Sequence, residues 1–123
     1  MQTELFEVDP LSDNRKLYAR AAEALGAGAL VGIPTETVYG LGADALNPEA
    51  VARIFEAKGR PSFDPLIIHV HHGSEVEKYT AVPEGLKDLV YTLASRFWPG
   101  PLTLVLPKAD IIPDIVTSGL PTV

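Results

Sequence analysis

The stretch ALVGIPTETVYGLGADA, residues 29–45, decides how this chain is read. Ala29 to Ile33 is short and almost wholly apolar, the pattern of a buried strand, and Pro34 closes it. The run Pro34-Thr35-Glu36-Thr37-Val38-Tyr39-Gly40-Leu41-Gly42 then sets hydroxyls, backbone N–H groups and two glycines just after that strand. A turn of this kind can cradle a carboxylate or phosphate, and its glycines let the backbone come close to a ligand. An ordinary loop with capping threonines explains the same residues about as well. The stretch is neither a Walker A loop, since no G-K-[ST] follows at the required spacing, nor the G-x-G-x-x-G of dinucleotide folds.

Outward from this loop, Asn47 offers an N-cap, Pro48 sits at the first helical position and Glu49 lies in the positive first turn. Val51, Ile54 and Phe55 supply an apolar stripe, Lys58 falls in the last turn and Gly59 stops the helix. Upstream, Asp13–Leu25 places Leu17, Ala21, Ala24 and Leu25 on one helical face, capped by Ser12 or Asp13 and ended by Gly26 and Gly28. Downstream, Leu66–Val70 reads as a second buried strand. Ser74 and Glu77 suggest a capping box for a short helix through Tyr79. Pro83–Phe97 predicts the longest helix, with Leu86, Leu89, Val90, Leu93 and Phe97 inward, broken by Pro99-Gly100-Pro101 before a third strand, Thr103–Leu106. Ile111 to Gly119 holds one or two short turns. Helices alternating with strands predict an α/β fold, and the path from Ile33 through the 47–58 helix to Leu66 is long enough for a crossover.

Bulk composition narrows the function classes. The chain has 123 residues, 16 acidic against 10 basic side chains and a formal charge of −6, so it is one domain at most and carries no basic excess for a dedicated nucleic-acid surface. It has no cysteine, which removes disulfides, thiol nucleophiles and thiolate metal sites and fits a reducing compartment. No apolar run approaches the ~20 residues of a membrane span, and the first residues lack a signal-peptide core. The expectation is a soluble, cytoplasmic protein.

Besides the threonine loop, three groups are candidates. Lys58 and Arg60 straddle a helix end, where a mobile ammonium and a bidentate guanidinium suit a polyphosphate. Cations at a helix C-terminus are favoured anyway, which covers Lys58 better than Arg60; Pro61 and Pro65 stiffen the loop after Arg60. His69 and His71 alternate on one strand face with His72 beside them, but no third metal ligand is evident; Asp44 and Asp64 could help hold a nucleotide-bound Mg2+, though acidic loop residues are usually just solvated. Thr117-Ser118-Gly119 resembles an anion-binding turn and equally any loop.

The segments PTETVYGLG, KGRP, PLIIHV, WPGPLTLVL and TSGLPTV, in this order, resemble the YrdC-like family of threonylcarbamoyl-AMP synthases, from about Ala29 to the last residue. The resemblance implies an α/β fold with a large, twisted, largely mixed sheet flanked by helices around a concave cavity. It implies condensation of L-threonine, bicarbonate or CO2, and ATP with Mg2+ to threonylcarbamoyl-AMP and pyrophosphate, for modification of tRNA adenosine 37 by a partner transferase. Carried over by position, Lys58 and Arg60 bind the triphosphate and serve catalysis, Thr35, Tyr39 and His69 face threonine, Thr117 and Ser118 lie on the nucleotide side, and no residue is a dedicated metal ligand. The family pattern continues with a G-V-R-x-P segment and an S-x-N motif that are absent here, so residues 1–123 read as the amino-terminal part of one such catalytic domain, truncated at the carboxyl end. The alternatives are a related carbamoyl-transfer domain, disfavoured by the lack of cysteines, and an RNA-binding module, disfavoured by the acidic balance.

Overall fold

A computed structural model describes residues 3–59, 61 and 63–123. Its elements run α1 (Arg15–Gly26), β1 (Val31–Ile33), β2 (Gly40–Gly42), α2 (Pro48–Lys58), a 3-10 turn (Gly73–Glu75), α3 (Val76–Tyr79), a second 3-10 turn (Glu84–Leu86), α4 (Lys87–Phe97) and α5 (Asp114–Thr117).

Helix α2 follows its sequence signals closely. The Asn47 side chain accepts from the N–H groups of Glu49 and Ala50 at 3.1 and 3.2 Å. Pro48 opens the helix, and Gly59 closes it at φ 57°, a left-handed geometry that costs a residue with a Cβ more than glycine. Ala50, Val51, Ile54 and Phe55 are buried. Arg53 donates to the Gly28 carbonyl at 2.9 Å, tying α2 to the turn after α1. Gly28 itself has φ 81°, and a Cβ there would lie 3.1 Å from the Asn47 amide nitrogen. The α1 face formed by Leu17, Ala21, Ala24 and Leu25 is half-buried, while no residue of α1 is fully buried. The N-cap position of α1 is Asn14, without a side-chain cap bond, rather than Ser12 or Asp13; Asp13 accepts from the Arg15 N–H, and Ser12 donates to Asp9.

The strand pairing departs from the sequence reading. β1 spans three residues rather than five and pairs antiparallel with β2, in the register Val31↔Gly42, Gly32↔Leu41, Ile33↔Gly40. The first strand is thus answered at once by a hairpin partner, and no ladder among the described residues joins it to Leu66–Val70 by a crossover. Leu66–Val70 and Thr103–Leu106 still alternate between half-buried and exposed residues, as a strand does, without forming a regular ladder. Sparse bonds anchor them. The Leu66 N–H donates to Val116 O at 2.8 Å, Leu106 and Val123 exchange bonds of 2.9 and 2.8 Å, and isolated antiparallel bridges join Thr80 to Lys108 and Pro107 to Thr122.

Two more expectations shift. The cap of the short helical segment comes two residues earlier than Ser74 and Glu77. His72 Nδ1 accepts from the Ser74 N–H at 3.2 Å, and Glu75 accepts from the N–H groups of His71 and His72. On α4 the buried face is Val90 and Ala94, with Leu93 half-buried, whereas Leu86, Leu89 and Phe97 are exposed. The helix turns this way because Ala94 meets Gly73, where an added Cβ would sit 3.1 Å from the alanine methyl. Gly100 lies so close to Phe97 O that a Cβ would come within 2.4 Å of it.

The core joins α2 to the second half of the chain. Val51, Phe55, Ile112 and Val116 form one buried cluster, with Leu66, Ile68, Tyr79, Ile115 and Val123 packed against it. Asn47→Ala should lower the unfolding free energy by about 1 kcal/mol through loss of two capping bonds, while Asn47→Asp stays near the parent; urea denaturation of the three proteins checks this.

Candidate functional site

Residues 34–39 connect β1 to β2, and all six are exposed. Thr35 organises this loop from within. Its hydroxyl donates to Val38 O, accepts from the Thr37 N–H at 3.2 Å and lies 3.4 Å from Thr37 Oγ1. A threonine hydroxyl has one proton and two lone pairs. Its proton is committed to Val38 O, so Thr35 cannot donate to a ligand without opening the loop. Thr37 Oγ1 has the 3.4 Å approach of Thr35 as its only partner among the described residues, and it is the hydroxyl here with capacity to spare. Val38 and Tyr39 project outward at 74% and 83% exposure.

Below the loop lies an open cavity of about 1260 Å³. Residues 65–74 form one wall and residues 98–106 another, with Tyr91, Thr92 and Ser95 of α4 and with Thr117 completing it. Glu36 is the member of the 34–39 loop that reaches it. The cavity therefore mixes an apolar majority with a few convergent polar groups, the usual make-up of a small-molecule site. His69 is exposed on the 66–70 wall. The Tyr91 phenol is held above its ordinary pKa, first by its hydrogen bond to Glu77 and then by desolvation, so it stays a neutral donor.

The residues expected from the sequence fall in several places. His69 and Thr117 line the cavity, and Thr35 and Tyr39 belong to the loop at its edge. Lys58 is exposed in the last turn of α2 and has no ion pair among the described residues. Arg60 lies outside the described residues. Thr117 is 1% exposed, and its hydroxyl approaches Asp114 O at 3.4 Å. Ser118 adopts φ 55°, and its buried hydroxyl has no hydrogen-bond partner among the described residues. A left-handed serine with an orphaned hydroxyl carries two local costs at one position, a combination concentrated at functional sites. Among the described residues no three of His, Asp and Glu converge as a metal site, and Asp44 Oδ1 accepts from the Leu46 N–H at 2.9 Å. No helix of the described residues is long and apolar enough to cross a membrane.

Within the loop already marked by the sequence, the geometry singles out Glu36 and Thr37, and it adds Thr103 on the facing wall. Thr37 had a legible signal, since a Thr-x-Thr turn invites the first hydroxyl to bond the second N–H. Glu36 had none, because which loop residue turns inward depends on the walls opposite.

Residues 23–123 match the Sua5/YciO/YrdC family model, described as telomere recombination. The threonylcarbamoyl-AMP synthase of Pyrococcus abyssi is 53% identical over 103 residues, covering 84% of this chain and 29% of the relative. The threonylcarbamoyl-AMP synthase of Bacillus subtilis is 52% identical over 117 residues, covering 94% and 33%. Among solved structures, P. abyssi Sua5 complexed with L-threonine matches with a TM-score of 0.77 at 53% identity, over 85% of this chain and 30% of that one. The MTH1692 protein of Methanobacterium thermoautotrophicum matches with a TM-score of 0.66 at 32% identity, over 100% and 56%. The chain thus spans about a third of the two synthases and has the α/β fold of these structures, a mixed sheet flanked by helices, of which the β1–β2 ladder is the regular part here.

Thr35→Val should speed amide exchange at Thr37 by about tenfold, the loss expected for one net hydrogen bond, whereas Thr35→Ser should leave it unchanged; exchange-detected NMR separates the two.

Proposed function

This chain belongs to the Sua5/YciO/YrdC family, and on that premise we propose that it acts in L-threonylcarbamoyladenylate synthesis, joining L-threonine, bicarbonate or CO2, and ATP with release of pyrophosphate. The observation that carries this reading is the likeness, at 53% identity over 85% of the chain, to a structure complexed with L-threonine. The exposed hydroxyl loop and the His69 wall lie within residues 23–123, which match the family, and in this reading offer threonine its polar contacts.

In this reading the threonine amine adds CO2 to give a carbamate. A carbamate oxygen attacks the α-phosphorus of ATP, and pyrophosphate leaves. No side-chain nucleophile is required, so the residues work by placement and charge neutralisation. Thr35 holds the loop in shape, Thr37 Oγ1 is free to meet substrate, and Tyr39 and His69 bound the threonine side. Lys58, with no internal ion pair among the described residues, is available to the triphosphate, and Arg60 is assigned beside it from its place in the KGRP segment. Thr117 and Ser118 are assigned to the nucleotide. Asp44 is partly committed to its own loop and no protein cage converges among the described residues, so Mg2+ would come with the triphosphate and supply charge neutralisation there. The product would pass to a transferase acting on tRNA adenosine 37, which places the reaction in the cytoplasm.

Pyrophosphate release from ATP should require L-threonine and bicarbonate together; turnover indifferent to threonine would overturn the reading. Lys58→Ala should cut that rate on the order of a hundredfold with an unchanged unfolding midpoint. Ser118→Gly should separate stability from binding. Glycine relieves the left-handed strain and removes the orphaned hydroxyl, adding about 1 kcal/mol of stability. The same change should weaken ATP binding, measured by calorimetry beside urea unfolding.

A further inference from the structure

Helix α5 has four residues, and no side chain caps its start. A helix that short does not hold itself together in water. Ile112, just before it, and Val116 within it belong to the buried cluster. A lysine from outside the helix ties its start. Lys108 Nζ donates to Ile112 O at 3.1 Å and pairs with Asp114 Oδ1 at 3.0 Å. The Lys108 backbone is itself fixed, since its N–H donates to Pro121 O at 3.0 Å and an isolated bridge joins it to Thr80. The Lys108 side chain is 18% exposed, whereas that of Asp114 is 80% exposed. Asp114 in turn holds the far end of α5. Its carbonyl accepts from the Ser118 N–H and, at 2.9 Å, from the Gly119 N–H, and the Thr117 hydroxyl approaches it at 3.4 Å. Asp114 thus carries an ammonium on its carboxylate and the Thr117–Gly119 turn on its carbonyl. Thr117 lines the cavity, but Lys108 and Asp114 do not.

We propose that Lys108 is a positioning residue: through Asp114 it holds the Thr117–Ser118 turn in the shape that receives the nucleotide. The proposal rests on the assignment of Thr117 and Ser118 to ATP. Ser118 is the point where such support is needed, because its φ of 55° costs a residue with a Cβ free energy. Local hydrogen bonds must outweigh that cost, and those at this turn converge on Asp114 O. An ammonium has three protons and can serve several acceptors at once. Lys108 uses this capacity to fix Asp114 directly by its carboxylate and indirectly by Ile112 O, two residues earlier in the backbone. An ion pair with one partner this open to water adds little to global stability. Its effect is local. It restricts how Asp114 sits, and with it the directions in which the Thr117 and Ser118 hydroxyls point.

Calorimetric titration with ATP, together with amide exchange, tests this on the full chain. Lys108→Met keeps an unbranched apolar stem and removes the donor. It should speed exchange at Ser118 and Gly119, weaken ATP binding about fivefold, the factor a partly exposed ion pair can supply, and leave the urea midpoint nearly unchanged. Lys108→Arg can still donate to both oxygens and should restore exchange and binding. Asp114→Ala should reproduce the loss. The double variant Lys108→Met/Asp114→Ala should bind ATP no more weakly than either single variant, because the two residues act in series. Additive losses in ATP binding, or unaltered exchange at Ser118 and Gly119 in Lys108→Met, would overturn the proposal. Should Lys108→Met fail to fold, Asp114→Ala changes an exposed side chain, and unaltered exchange in it overturns the proposal equally. A parent chain that does not bind ATP overturns the nucleotide assignment instead, and the exchange rates still decide whether Lys108 holds the turn.

Discussion

The contact of Val51 and Phe55 with Ile112 and Val116 is the constraint on which the rest of this structure depends. It joins α2, from the first half of the chain, to α5, near its end, and each side chain so buried contributes on the order of 2 kcal/mol. Residues 66–70 gain their position from it. Leu66 and Ile68 pack against the cluster, and the Leu66 N–H bonds Val116 O, so the wall carrying His69 is set by the same packing that seats Thr117 and Ser118. Lys58 leaves α2 one turn beyond Phe55. The groups assigned to threonine and to the nucleotide thus share one apolar joint, and a cavity in that joint would disturb both.

Local signals with a local answer were legible in the sequence. Asn47-Pro48 and Gly59 bound α2 because caps and stops act within a few residues, and their hydrogen bonds and φ need nothing from elsewhere in the chain. Strand partners were not legible. Alternation marks Leu66–Val70 as strand-like, but a period of two says nothing about which edge it meets. The hairpin of β1 with β2 is not legible because Gly40-Leu41-Gly42 looks like loop; glycine weakens a strand signal even where the strand forms. On α4 the apolar pattern exceeded what the fold could bury, and only the close approach of Gly73 to Ala94 decided which stripe turned in.

The candidate site was legible as a set of segments rather than as roles. Thr35 illustrates why. Sequence position marks it as the first hydroxyl after the strand, the natural ligand contact, yet counting its proton and lone pairs assigns it to the loop and leaves Thr37 Oγ1 as the hydroxyl with capacity to spare. His72 is the converse case. Beside His69 and His71 it suggested metal chemistry, and its ring nitrogen instead caps a helical turn. In both, the bond that decides the role runs to a backbone atom two or three residues away, and residue type alone does not reveal it.

Two local costs in this fold coincide. Among the described residues, the buried, orphaned hydroxyl and the positive-φ residue other than glycine meet at Ser118, beside a cavity-lining threonine. The exposed Val38 and Tyr39 sit together on the 34–39 loop, of which Glu36 reaches the cavity. Elsewhere, α2 has its cap filled and agrees with its sequence pattern down to single residues. A strained, unsatisfied residue that borders a cavity, while the supporting helix obeys its local rules, points to that cavity as the functional surface.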